Sequence, residues 1–393
     1  MEPIALDAKL RVKPIYPVYS VTDRLFRIGA QRGITVDIDD PHGQMRALVD
    51  LLGGDRTIAA VLEQMRQRFP QLTDADMLEA IRQLAGRGLL EGAEPTPYET
   101  DPSLTRYLGN VNYFSHYATI AESRAAAQEK LRESKVVLFG LGGGGSYALP
   151  LLVAAGFGEI VAVDYDRVEL SNLNRQLMYA EQDVGQFKAD VAQRRMRQAN
   201  STVAVSTITK KIESARDVAD IVGGADIAIC AIDEPPFVAQ RRVNAGCVSQ
   251  GVPYVCGGSF VSRGRVFSVH PGESGCLDCL HIYYAGKDPL FASQLSAILD
   301  QDTGDVTIAF APHIATVASF MVAEAVRMTT GHAPALSVGR QLELEYETGS
   351  WEHLWEWPRY GDECPTCGTG NPGDMFSMYE DVTASLRAAT AGR

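Results

Sequence analysis

Three features of the 393-residue chain predict an α/β protein: a Rossmann-like, doubly wound, mostly parallel sheet, preceded by a small winged-helix-like α+β domain. From Arg132 to Gly258, short apolar runs alternate with helical patterns, which is the rhythm of successive βαβ units. A glycine-dense turn, GLGGGGS from Gly140, follows the first of those runs and opens a helix. Ahead of them, residues 1–95 compress short alternating strands and three helical patterns into the length of one small domain.

In that first domain, PIYPVYSVTDRLFRIG and GITVDIDD alternate apolar and polar residues as strands do. HGQMRALVDLLGG, TIAAVLEQMRQRF and DADMLEAIRQLAGRG carry helical spacing. Thr57 and Thr73 are the predicted caps of the second and third helices, and Gly86 or Gly88 closes the third. EGAEPTPYETDP, from Glu91 to Pro102, is rich in Pro, Thr and acid and reads as a linker, placed at residues 96–104. The second domain is expected over 105–370 and a tail over 371–393.

The second domain begins with KVVLFG as a strand and a helix to Ala155, with Pro150 in its first turns or kinking it. EIVAVD, VAVSTIT, IAICAID and PYVCGG are further strands, with helices over Lys188–Asn200 and Val238–Gln250 between them. After GRVFSVHPG comes an irregular crossover segment, 284–307, then an apolar helix from Pro312 to Thr330. LELEYETGSWEHLWEWPR has strand character and leads to a cysteine pair.

Composition narrows the function. A formal net charge of −13 opposes a nucleic-acid partner, whose phosphates need a basic face. Met1–Val12 has no secretory signal, and Ile308–Met328 is broken by Pro312, His313 and Glu324, which fits a buried helix better than a membrane span. Seven cysteines without such a signal point to a reducing compartment, so a cytoplasmic protein is expected.

Gly140-x-Gly142-x-x-Gly145 lets backbone approach a phosphate at a helix N-terminus. Asp164 ends the next strand, placed to hydrogen-bond ribose hydroxyls. The turn alone leaves the nucleotide open, because dinucleotide oxidoreductases and ATP-using adenylating enzymes share it. The run after it supplies donors suited to a triphosphate in Asn172, Arg175 and Lys188, and Asp233 ends a strand where a carboxylate could hold Mg²⁺. Each could instead be a solvated loop charge.

Cys276-x-x-Cys279 and Cys364-x-x-Cys367 suit a closed, structural tetrahedral zinc site; two unrelated reduced pairs or a redox dithiol are the alternatives. Cys230, Cys247 and Cys256 lie in apolar contexts and are expected to be buried.

GLGGGGS, VDYDRVELSNLNRQ, VGQFKAD and CAIDEPP together resemble the signatures of the ubiquitin-activating-like (ThiF/MoeB/HesA) adenylyltransferase superfamily, over about 105–370. The resemblance implies ATP rather than NAD. It implies Asp164 at the ribose, Arg175 and Lys188 at the triphosphate, Asn172 near the phosphates and Asp233 at Mg²⁺. Gly140, Gly142, Gly143, Gly145, Asp166 and Gln176 complete the implied ATP site. A carboxylate oxygen would attack the α-phosphorus and release pyrophosphate, with Arg175, Lys188 and Asp233 carrying the catalysis. Zinc on the four cysteines and a homodimer are also implied. No cysteine lies in 284–312, so no enzyme thioester is expected.

Two departures qualify the resemblance. RYLGN carries Gly109 where relatives have an arginine that reaches the neighbouring subunit's ATP; Arg106 or Arg124 is offered as a substitute. The N-terminal domain resembles PqqD-like peptide-recognition modules, an architecture like that of microcin-C-type (MccB-like) peptide adenylyltransferases. A leader peptide would then add as a strand near Gly33–Asp39 and press on the third helix. The expected function is ATP-dependent adenylation of a carboxylate on a ribosomally made precursor peptide. The alternatives are activation of a small sulfur carrier ending in Gly-Gly, and a non-catalytic leader-binding partner.

Overall fold

The computed structural model describes residues 4–288, 290–291 and 308–368. Most of the expected crossover segment and the 371–393 tail therefore lie outside the described residues. The chain divides into two compact units, Met1–Lys130 and Leu131–Arg393.

In the first unit, β1 (Leu10–Val12) pairs antiparallel with a strand at Leu90–Gly92, while β2 (Val18–Ser20), β3 (Leu25–Ile28) and β4 (Val36–Asp39) form a meander in that order. Three helices follow: α1 (Gln44–Leu51), α2 (Ile58–Arg68) and α3 (Asp74–Gly86). Thr57 caps α2 by accepting from Ala60 N, and Thr73 caps α3 in a reciprocal box with Asp76. Leu48, Ile58, Val61 and Ile81 point inward from these helices onto Phe26 and Ile28, forming one apolar core.

The Glu91–Pro102 stretch is more ordered than its composition implies. Leu90–Gly92 is β5, and Pro97–Thr100 is the short helix α4, with Tyr98 buried. Glu91 is buried and accepts from Arg11 Nε at 2.8 Å and from Ser115 Oγ at 2.5 Å. Arg124, nearly inaccessible, pairs with Glu99 and lies 3.9 Å from Glu91. These bonds tie Arg124 to its own unit, which counts against it as the substitute arginine. Next come α5 (Leu108–Ser115) and α6 (Ala126–Glu133), the latter carrying the chain into the second unit.

The second unit is built on one eight-stranded sheet. Its first strands are β6 (Lys135–Phe139), β7 (Glu159–Val163), β8 (Ala204–Ile208), β9 (Ile227–Cys230) and β10 (Tyr254–Ser259). They lie side by side in the order β10-β9-β6-β7-β8, all parallel. Three antiparallel strands extend the β10 side: β11 (Arg263–Val269), β12 (Arg340–Glu345) and β13 (Trp351–Glu356). The central parallel strands β6, β7 and β9 are buried on both faces, which is why they read as unbroken apolar runs, whereas the edge strand β8 is partly exposed. The connecting helices are α7 (Gly143–Ala155), α8 (Lys188–Ala199), α9 (Ala215–Val222), α10 (Val238–Gln250), α11 (Leu277–Lys287) and α12 (Ala311–Thr330). α12 packs on α7, β9, β10 and β11, whereas α10 packs on α9 and α11. Pro150 sits inside α7, where it removes the usual helical donor to the Ser146 carbonyl. No described helix is long and apolar enough to cross a membrane.

Candidate active site

Chain order reverses between β6 and β9: β6 leads to β7 on one side, and β9 returns to the other. Open α/β sheets bind ligands in the crevice beyond the strand ends at such a point. The glycine turn leaves β6 there, directly beside the end of β9. Gly140 has φ +93, and a Cβ on it would lie 2.6 Å from the Ala231 carbonyl oxygen. A Cβ on Gly145 would lie 1.8 Å from the Gly140 carbonyl oxygen. These two glycines are therefore required by packing.

Gly142 and Gly143 differ. Their added Cβ atoms would meet Gln176 at 3.8 Å, and Ile314 at 3.5 Å with Arg175 Cδ at 4.0 Å, all ordinary contacts. They face a space bounded by those side chains, at the amide-rich start of α7.

Asp164 is buried just beyond the end of β7. Its Oδ2 accepts from Leu141 N at 2.7 Å and its Oδ1 from Asp166 N at 2.8 Å, so it holds the glycine turn. Burial pushes its carboxyl up, with the Lys188 charge pulling the other way. Further lone pairs remain available to a sugar hydroxyl. Lys188, also buried, opens α8 and donates to Asp166 Oδ2 at 2.9 Å. Tyr179 donates its hydroxyl to the Leu141 carbonyl at 2.9 Å. Nothing in the sequence pattern singles out Tyr179, because its partner is made by the fold.

Asn172 shapes the next turn. Its Oδ1 accepts from Glu169 N, and its carbonyl accepts from the backbone N–H of Arg175 and of Gln176, each at 3.0 Å. That turn presents Arg175, whose guanidinium donates to the Ser171 carbonyl and Asn174 Oδ1 at 3.1 Å. It also presents Gln176, whose Oε1 is buried without a protein partner. Asp233 follows β9 and is open to solvent. The protein around it raises its carboxyl, opposed by the Arg175 charge, and water at this exposed site offsets part of that burial cost.

The fold thus brings Gly142, Gly143, Arg175 and Gln176 to one opening, with Asp233 within the electrostatic reach of Arg175. Asp164, Asp166 and Lys188 are joined to it through Leu141. An open cradle of backbone amides, two cations and a buried oxygen awaiting a donor fit a nucleoside triphosphate, whose amino and hydroxyl groups donate and whose phosphates accept.

The cysteine site lies elsewhere in the same unit. Cys276, Cys279, Cys364 and Cys367 are buried, with their sulfurs within 4.8 Å of one another. Cys276 and Cys364 are 3.5 Å apart, and Cys279 and Cys367 are 3.2 Å apart. Tetrahedral zinc–thiolate bonds of about 2.3 Å require sulfurs roughly 3.8 Å apart, so this cluster could hold zinc after small shifts of the sulfurs. Tyr360 N and Cys367 N donate to Cys279 and Cys364 sulfurs at 3.5 and 3.4 Å, outer bonds that orient thiolate ligands. Asp278, between the first two cysteines, accepts from Arg241 on α10 at 2.7 and 3.2 Å and from Thr366 at 2.7 Å. Cys230, Cys247 and Cys256 are buried in the core.

The profile of the ThiF family matches residues 113–366. The chain belongs to the ThiF family. The ThiF relatives carry the same chemistry in their names. The sulfur carrier protein ThiS adenylyltransferase of Bacillus subtilis is 31% identical over 288 residues, covering 71% of this chain and 77% of that one. The molybdopterin-synthase adenylyltransferase of Escherichia coli is 29% identical, covering 53% of this chain and 78% of that one. This ThiF chain is accordingly an adenylyltransferase, and the oxidoreductase reading of its glycine turn falls away. The fold extends the likeness. E. coli MccB, crystallised with ATP, superposes with a TM-score of 0.71 at 23% identity, over 91% of this chain and 99% of MccB.

Proposed function

We propose that this ThiF-family adenylyltransferase uses ATP and Mg²⁺ to adenylate a carboxylate of a ribosomally made precursor peptide. One observation carries the choice of substrate. The match to MccB covers 91% of this chain, a share that cannot be reached without entering the first unit, which is a third of the residues. MccB has also been crystallised with its N-formylated peptide MccA. In this reading the first unit recognises the peptide and the second activates it.

In this reading, Gly142, Gly143 and the start of α7 hold phosphate, Asp164 holds the ribose, and Asp166, Asn172 and Gln176 shape the pocket around them. Arg175 and Lys188 neutralise charge on the triphosphate, and Asp233 holds Mg²⁺. The substrate carboxylate is already ionised at neutral pH, so no general base is needed. Its oxygen bonds to the α-phosphorus as the bond to the pyrophosphate oxygen breaks, and the protein contributes positioning and charge neutralisation. The peptide adds to the free edge of the meander near Gly33–Asp39. A homodimer in the cytoplasm completes the reading, with a trans arginine other than Arg124.

The test is ATP–pyrophosphate exchange with a candidate precursor peptide, in the wild type and in Lys188→Ala and Asp233→Ala. Losses of roughly 100-fold or more are expected in both variants; unimpaired exchange would remove the site assignment. The 31% identity to a sulfur-carrier adenylyltransferase favours a second reading. Exchange triggered by a carrier ending in Gly-Gly, and by no peptide, would replace the first reading with it.

A further inference from the structure

Arg265 is the group that the adenylation site leaves unexplained. It lies on β11 opposite Gly258 of β10, so no side chain stands beneath it on that strand. From there it reaches the first turn of α10, the helix that follows β9 and Asp233, donating to Gln240 Oε1 at 3.0 Å. Its guanidinium also lies over the Phe260 ring, 4.9 Å from the centroid. Its Nε is shielded from solvent and has no hydrogen-bond partner.

Among the described residues, no carboxylate bonds to Arg265. Glu343, its cross-strand neighbour on β12, turns instead to Arg263 at 3.1 Å and Gln341 at 2.7 Å. Asp278 is held by Arg241 and Thr366. Among the described residues, Arg265 makes no ion pair. A partly buried guanidinium carries five donors in a planar fork matched to carboxylate, and leaving it unpaired is costly unless a ligand completes it.

We propose that Arg265, with Phe260 and Gln240 as its walls, binds a non-reacting carboxylate of the acyl substrate, so that the enzyme selects an acidic residue at or beside the activated position. This rests on the adenylation reading above. The second carboxylate is the better occupant, because a guanidinium clamped on the reacting one would draw electron density from the attacking oxygen. In the reading above, Arg175, in the turn that Asn172 shapes, and Asp233, after β9, serve the reacting centre.

The experiment uses the full chain and short N-acetylated peptides that differ only in Glu or Gln at the last or next-to-last position. Pyrophosphate exchange should favour a Glu peptide by about tenfold or more, the value of one charge-assisted pair. Arg265→Gln should abolish that preference, and Arg265→Lys should restore part of it. Equal exchange with Glu and Gln peptides in the wild type would overturn the subsite and leave the adenylation reading standing. If no peptide triggers exchange, the adenylation reading of peptides fails, and the subsite is judged by fluorescence anisotropy of a labelled Glu peptide. Binding that Arg265→Gln weakens would uphold it, and equal or absent binding would overturn it. Unchanged thermal unfolding and zinc content in both variants establish that the fold survives.

Discussion

Gly140 and Ala231 touch across the point where the sheet reverses its order, a Cβ on the first standing 2.6 Å from the carbonyl oxygen of the second. The contact joins the turn after β6 to the end of β9. Gly140→Ala must relieve both this clash and a φ of +93. A loss of about 3 kcal/mol in urea unfolding is expected. Gly143→Ala is the contrast: its Cβ finds ordinary contacts, so stability should hold within about 1 kcal/mol while calorimetry shows weakened ATP binding. Equal stability for both variants would refute this division of labour among the glycines.

Metal analysis of protein purified without chelator should find zinc bound at the four cysteines, and Cys364→Ser should lose it. The site joins the start of α11 to the chain after β13, and Trp357 Nε1 donating to the Cys276 carbonyl at 3.2 Å closes the same junction. Stripping zinc should lower the melting temperature by roughly 10 °C or more, the scale expected when several kcal/mol of metal binding leave a domain of this size. A melting curve indifferent to chelation in a zinc-containing sample would show that the fold does not depend on the metal.

Much of this was legible in the sequence because it is local or repetitive. Strands buried on both faces must be apolar runs, and Thr57 and Thr73 cap helices through bonds that span three residues. The glycine turn and the cysteine pairs are legible for the same reason. Glu91 was not: its neighbours Pro, Thr and Gly argue for a linker, yet it is buried because Arg11, 80 positions away, and Ser115 satisfy its charge. Tyr179 and Arg265 are illegible in the sequence for the same reason. Their roles come from a backbone carbonyl 38 positions earlier and from strand register, neither of which composition can report.

The Glu91 network gives a third prediction. Glu91→Gln keeps the volume but leaves Arg11 and the nearly inaccessible Arg124 without their shared carboxylate. Breaking one side of a buried pair costs about 3–5 kcal/mol. Hydrogen exchange should then rise around β1, β5 and α5 while the large sheet keeps its protection. Unchanged protection in those three elements would show that the charge is not needed there.

Tyr284 supplies a dependence on pH. Its hydroxyl donates to Gln341 Oε1 at 2.9 Å, and burial, against the nearby Arg265 charge, pushes its phenol up to about 12. An unfolded phenol ionises near pH 10, so the fold favours the protonated form. The stability this contributes is fully present below about pH 10 and is lost as pH rises from there to about 12, a change of order 2 kcal/mol. Tyr284→Phe cannot ionise and forgoes only the hydrogen bond, about 1 kcal/mol. Chemical unfolding should therefore find the wild type the more stable protein up to about pH 9–10, with its advantage shrinking and reversing above that. Tyr179 and Tyr254, whose phenols burial pushes higher still, titrate in both proteins and cancel in the difference. A difference that stays flat from pH 8 to 12 would mean that Tyr284 ionises as freely in the fold as out of it.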